Sequence, residues 1–264
     1  MNLDLNKIYC GDNCDLLGKL PRCCVDLVVT SPPYDDLRVY GGHSWDFYGV
    51  AWQLWRVLKD GGVIVWVVAD ATKDGSESGA SMKQALHFKE LGMNLHDTMI
   101  YQKDNPPPVG GANRYYQHFE FMFVFSKGRP KTFNPIIRER RNKHNDSRVS
   151  RVKAFNRDKN GEFQKKEVSL VGDVKAGNIF KYVVGGGSSV DNGTKHPAGF
   201  PLKLASDQVF TWSNAGDLVL DPFVGSGTTV QAAKELGRNF LGFEIHEEYC
   251  EIANQRIAQD VLLM

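Results

Sequence analysis

Apolar residues in this chain fall into short dense runs that alternate with helically spaced sets. Val25-Asp26-Leu27-Val28-Val29-Thr30 and Val63-Ile64-Val65-Trp66-Val67-Val68 are rich in β-branched residues and too short for independent helices. The second is apolar throughout, as expected of a strand covered on both faces. Between them Phe47, Val50, Ala51, Leu54, Trp55 and Leu58 recur every three or four residues, which predicts a helix over 45–59. Gly61-Gly62 then reads as its C-cap. Strand, helix, glycine and strand in that order make a βαβ unit, hence a parallel sheet with a right-handed crossover. The same alternation recurs along the chain. Strands are expected at 7–10, 95–101, 119–125, 178–184, 218–220 and 240–245, and helices at 14–20, 80–91, within 197–212, at 226–236 and at 246–260. Phe119, Phe121, Phe123 and Phe125 alternate with other residues, and their strand would pair antiparallel with 95–101 at the sheet's edge. The fold class is therefore α/β, with a mostly parallel, doubly wound sheet.

Two of the expected strands end in unusual chemistry. Leu218-Val219-Leu220 runs into Asp221-Pro222-Phe223-Val224-Gly225-Ser226-Gly227-Thr228-Thr229. Proline stops the strand, and Gly225 and Gly227 permit a tight turn and close approach of a ligand. Ser226, Thr228 or Thr229 can cap the helix that follows. A carboxylate and glycine turn at a strand's C-terminal end is where open α/β sheets bind ligands. By spacing alone it is neither a phosphate-binding Gly-Lys-Thr/Ser loop nor a dinucleotide fingerprint, because position 230 is Val. The second end is Thr30-Ser31-Pro32-Pro33-Tyr34, where paired prolines stiffen the chain and leave the Ser31 hydroxyl and the following carbonyls without ladder partners.

Composition changes the picture in one place. The chain of 264 residues has a net charge of +1, but residues 127–166 hold 14 Lys or Arg against four acidic residues, a net of +10. The other 224 residues carry 18 basic and 27 acidic residues, a net of −9. Such a stretch suits either a solvated insertion or a phosphate-binding surface, with Arg138, Arg140, Arg141, Lys143, Arg148 and Arg151 as candidate phosphate contacts. Five cysteines, an odd number without a Cys-x-x-Cys pair or a flanking histidine cluster, predict neither a disulfide framework nor a metal site. That usage fits a reducing cytoplasm. No apolar run has the length needed to cross a membrane, and none is expected to.

The two strand-end motifs together resemble those of the amino-methylating DNA methyltransferases, enzymes that use S-adenosylmethionine. Asp221 to Thr229 is similar to the family's cofactor motif, and Thr30-Ser31-Pro32-Pro33-Tyr34 to its catalytic motif. Lys195-His196-Pro197 and Phe200-Pro201 resemble the segment before the cofactor motif, and Ile8 to Asp12 the acidic strand end beside the cofactor's adenine. Catalytic motif before cofactor motif resembles the permuted β group, whose members are often dimers. The resemblance implies a seven-stranded sheet, a catalytic and cofactor-binding domain at 1–127 and 195–264, and a target-recognition region at 128–194. It also implies roles. Ser31, Pro32, Pro33 and Tyr34 would form the catalytic arm. Asp12, Asp221, Pro222, Phe223, Gly225, Ser226, Gly227, Thr228 and Glu244 would bind S-adenosylmethionine, with Asp221 on the ammonium and Glu244 on the ribose. The substrate implied is double-stranded DNA with its target base flipped out. Ser31 at the head of the motif leans toward N4 of cytosine; N6 of adenine is the alternative, and RNA a further one. No nuclease-type centre is visible, so any restriction endonuclease partner would be a separate protein.

Overall fold

The computed structural model describes residues 3–33, 45–105, 113–138, 151–157, 160, 162–169, 174–183 and 200–258. In chain order its elements are β1 (Lys7–Cys10), α1 (Asn13–Gly18), β2 (Val25–Thr30), α2 (Phe47–Val57) and β3 (Leu58–Val68). A small hairpin of β4 (Thr72–Lys73) and β5 (Ser76–Glu77) precedes α3 (Ala80–Glu90), β6 (Asn94–Lys103) and β7 (Phe119–Ser126). Then come β8 (Ile137–Arg138), β9 (Arg151–Arg157), β10 (Phe163–Ser169), β11 (Val174–Lys175) and β12 (Ile179–Tyr182). The chain continues with α4 (Leu202–Trp212), β13 (Leu218–Asp221), α5 (Thr228–Glu235), β14 (Asn239–Glu244) and α6 (Glu247–Ala258).

The main sheet runs in the order β1-β14-β13-β2-β3-β7-β6-β12. Its neighbours pair in parallel, except that β7 is antiparallel to both β3 and β6. It has eight strands among the described residues, one more than the seven implied by resemblance. The addition is β12, which pairs in parallel with β6 and so covers the edge that 95–101 was expected to form. The central strands are apolar because both faces are covered: Val28, Val29, Ile64, Val65, Val219 and Leu220 are fully buried. On one face an aromatic stack fills the core, with Trp66 edge-on to Phe88 at 5.2 Å and Phe88 against Phe125 at 4.7 Å. The buried Trp66 indole N–H donates to Gln84 Oε1 at 2.8 Å, so its polar atom is satisfied.

Gly61-Gly62 is not the helix cap the spacing suggested. The helix stops at Val57, and Leu58 already pairs with Val25 of β2. The pairing resumes at Leu27 and Val63, so residues 59–62 bulge out of β3. Gly61 adopts φ +77°, and its N–H donates to the Lys127 carbonyl while its own carbonyl accepts from Lys131. A methyl group on Gly61 would lie 2.9 Å from Lys131 Cβ, which explains the glycine as a place of close backbone approach.

The chain divides into two compact units, residues 1–134 with 178–264, and residues 135–177. The second is narrower than the 128–194 region drawn from sequence. Residues before 135 are tied into the first unit: Asn134 N–H donates to the Thr211 carbonyl and its side-chain amide to the Phe210 and Ser213 carbonyls. Residues after 177 are held by β12 in the main sheet. Within the second unit β9 and β10 form an antiparallel pair over seven residues each, and β8 pairs antiparallel with β11.

Candidate active site

Four adjacent parallel strands end on the same edge of the sheet, in the order β1, β14, β13 and β2. That geometry puts Asp12 just beyond β1, Glu244 at the end of β14, Asp221 at the end of β13, and Ser31-Pro32-Pro33 just beyond β2. Sequence positions more than 200 residues apart are thereby brought onto one rim. Parallel pairing produces this convergence, because it aligns all C-terminal ends on one side.

Asp221 is the buried centre of the rim, 2% exposed. The Thr30 hydroxyl, from the last residue of β2, donates to Asp221 Oδ1 at 2.6 Å. The Phe223 N–H donates to the same oxygen at 3.0 Å, and the Thr229 hydroxyl also supports the carboxylate. Burial nevertheless pushes the Asp221 carboxyl up to about 6, with the nearby Glu244 charge adding to the rise and the hydrogen bonds opposing it. Among the described residues no cation stands beside it. A buried carboxylate with hydroxyl and amide donors but no cation fits a ligand that brings its own positive charge.

The glycine turn holds its shape for reasons of packing. Gly225 and Gly227 have φ +50° and +91°, and Gly227, not a hydroxyl residue, is the N-cap of α5. A Cβ on Gly227 would sit 3.1 Å from Ala253 Cβ of α6, so the glycine lets α5 and α6 approach. Ser226 and Thr228 do not cap α5 as expected; their hydroxyls accept from the Arg256 guanidinium of α6, each at 3.2 Å. Thr229 donates to the Val29 carbonyl at 3.1 Å, tying the first turn of α5 to β2.

Glu244 accepts from three backbone amides: Gly225 N–H on Oε2 at 3.0 Å, and Ile245 and His246 N–H on Oε1 at 2.9 and 3.0 Å. Two of its four acceptor directions are used on Oε1, leaving one on Oε2 for a further donor. Asp12 is exposed and caps α1, accepting from the Asp15 N–H at 3.1 Å. The β1 end is held to its neighbours, with Gly11 N–H on the Glu244 carbonyl at 2.8 Å and the Asn13 amide on the Pro222 carbonyl at 3.4 Å. Phe223 is half-buried and meets Trp45 edge-to-face at 5.0 Å, and Trp45 in turn lies 6.3 Å from Trp66. Trp45 was read only as the start of a helix; its place in the aromatic wall beside the glycine turn carries no signal in the spacing. Thr30 likewise was read as part of a motif without a task of its own, and Thr229 only as a candidate helix cap.

Pro32 is buried, and Ser31 and Pro33 are half-buried. Tyr34 lies outside the described residues, as do Arg140, Arg141, Lys143 and Arg148. Arg138 is exposed on β8, and Arg151 opens β9. A groove of about 650 Å³ lined by Asn6, Lys234, Arg238 and Asn254 lies at the opposite end of the sheet, where β1 and β14 begin. Its cations are engaged already: Lys234 donates to the Ile257 carbonyl, and Arg238 to the Ser213 and Leu236 carbonyls.

Comparison with known proteins gives relatives of one kind. A chain of 49% identity over 246 residues, the orphan methyltransferase M.BamHII of Bacillus amyloliquefaciens, matches 91% of this chain and 91% of its own length. The type II methyltransferase M.BglII of Bacillus subtilis is 32% identical over 263 residues, covering 95% of this chain and 68% of the relative. The crystal structure of the M1.HpyAVI–SAM complex superposes with a TM-score of 0.60 at 25% identity, over 95% of this chain and 98% of that one. The family model for N6/N4 methyltransferases, described as DNA methylase, matches residues 25–255. By that model and these relatives, the chain belongs to the N6/N4 family of DNA methylases.

Proposed function

We propose that the chain is a site-specific methyltransferase that methylates N4 of cytosine in double-stranded DNA. The observation that carries the choice of base is Ser31, a neutral hydroxyl residue at the head of the catalytic arm, one residue beyond the Thr30–Asp221 hydrogen bond. When bound, S-adenosylmethionine supplies an electrophilic methyl group on a sulfonium.

An exocyclic amine is a poor nucleophile because its lone pair is delocalised into the ring. Ser31 Oγ and the Pro32 carbonyl accept the amine hydrogens and hold the lone pair toward the methyl group, a matter of positioning and electrostatics. The buried Pro32 keeps that arm rigid. Tyr34 stacks on the flipped base, an interaction worth about 1–3 kcal/mol. Asp221 would accept from the methionine ammonium, whose charge would relieve the burial penalty on its carboxylate. Glu244 would accept a ribose hydroxyl, Asp12 would stand on the adenine side, and Pro222, Phe223 and Gly225 would line the path between them. Ser226, Gly227 and Thr228 shape the turn from behind.

Mass spectrometry of nucleosides from DNA of cells expressing the protein tests the choice of base. N4-methylcytosine is expected; N6-methyladenine alone overturns it, and methyl transfer to RNA but not DNA overturns the substrate. Residues 128–194 serve as the target-recognition region, with Arg138, Arg140, Arg141, Lys143, Arg148 and Arg151 on the duplex. A homodimer is supported by the exposed Tyr48, Trp52, Met82 and Leu86 of α2 and α3. Light scattering should then give twice the 29.6 kDa chain mass, and a monomer at micromolar concentration removes that proposal. A separate restriction endonuclease is supported by the type II name of the M.BglII relative, while the M.BamHII relative is named an orphan.

A further inference from the structure

We infer that Thr30 is a positioning residue for the methyl donor, holding the Asp221 carboxylate ionised and aimed so that it can receive the donor's ammonium. The inference rests on the proposed role of Asp221. Thr30 is the last residue of β2 and wholly buried, and its hydroxyl reaches Asp221 Oδ1 at 2.6 Å, across from the catalytic arm. Its chain neighbours on the two sides have different tasks. Val29 gives its carbonyl to the Thr229 hydroxyl at the start of α5, and Ser31 begins the catalytic arm. One hydroxyl thus joins the strand that carries the catalytic arm to the carboxylate at the base of the cofactor turn.

A hydroxyl can donate to a carboxylate or accept from a carboxylic acid, but against an acid already held by the Phe223 N–H it serves best as a donor to the ion. The other groups facing Asp221 do not replace it. From β14 comes the Glu244 carboxylate, which opposes ionisation; from α5 comes the Thr229 hydroxyl, which is shared with the Val29 carbonyl; from β13 and its turn comes the Phe223 amide. Among the described residues no basic group faces the carboxylate. Thr30 therefore makes a shorter hydrogen bond to the carboxylate than the Phe223 amide, 2.6 against 3.0 Å, and it comes from the element that also carries the Ser31 arm.

The test is calorimetric titration of Thr30→Val, Thr30→Cys and Thr30→Ser with S-adenosylmethionine between pH 5.5 and 7.5, where the ligand's ammonium stays largely charged. In the wild type, affinity should fall as Asp221 protonates toward acid pH. Loss of one charge-assisted hydrogen bond should weaken binding about tenfold at pH 7 in Thr30→Val and move the acid limb up by about one pH unit. Thr30→Ser should restore both, and Thr30→Cys, nearly isosteric with a weak donor, should fall between. If Thr30→Val does not fold, the graded pair Cys and Ser still decides. An equal loss at every pH, or no loss, overturns the positioning role. Asp221→Ala is the control: if it binds the donor like the wild type, the proposed role of Asp221 fails instead.

Discussion

At Asp221 the burial of a single carboxyl makes stability depend on pH. Its carboxyl titrates at about 6 in the folded chain, above the ordinary value of 3.8, because burial penalises the charge. The native state therefore binds an extra proton between those values. The stability that this group contributes is full below its unfolded pKa and is lost as pH rises through 6. Asp221→Asn removes the buried charge while keeping an oxygen for Thr30 and the Phe223 amide. It should raise the stability of the ligand-free protein by about 1–3 kcal/mol above pH 7, with the gain shrinking toward pH 4. Urea unfolding at both pH values checks this, and equal effects at the two would show that the charge is not the cause. The same variant should lose binding of the methyl donor. The sequence singled out Asp221 and Ser31 as candidates because their motifs are short and local. It could not show that Thr30 completes the carboxylate's setting, because that contact depends on the register of β13 against β2, Leu220 opposite Val28.

At the scale of elements, local pattern and tertiary packing divide the result. The strand at 25–30 and the parallel order around it follow directly from apolar runs and glycine punctuation. The misread boundary at Gly61-Gly62 arose because a glycine pair marks a helix end and a strand bulge equally well; the Lys127 and Lys131 contacts that decide between them come from some 65 residues away. The turn at 225–229 was similarly read with hydroxyl caps, whereas Gly227 is the cap and the Ser226 and Thr228 hydroxyls meet Arg256 of α6. Gly227 carries φ +91° and leaves 3.1 Å between a Cβ and Ala253, so Gly227→Ala must strain the backbone and push α5 from α6. A cost of about 2 kcal/mol is expected, near the left-handed penalty for an L-residue plus a little packing. Chemical denaturation measures it. Arg256→Ala should loosen the same contact by freeing Ser226 and Thr228, and because the guanidinium lies on the α6 side, donor affinity should change less than in the Thr30 variants.

Across the whole molecule, charge is divided between the two units more clearly than the net of +1 suggests. Residues 135–177 hold 12 Lys or Arg against six Asp or Glu, leaving the other unit net acidic. An acidic unit repels a duplex unless another part of the chain holds the phosphates, so affinity for DNA should rest on the basic unit and respond strongly to salt. Each phosphate neutralised steepens the fall of log K with log salt by about 0.9. Replacing Arg140, Arg141 and Lys143 together by alanine should make that slope shallower by about 2.7 if all three meet phosphates, and by less if one reads a base. Affinity should drop for every sequence if the contacts are to phosphate, and mainly for the recognised site if they are to bases. Binding of the methyl donor, proposed to rest on Asp221 and Glu244 in the other unit, should be unchanged. Fluorescence anisotropy with cognate and unrelated duplexes over a salt series, alongside calorimetry with the donor, separates these outcomes. An unaltered salt slope would move DNA binding away from this segment and onto the first unit, against its acidic balance.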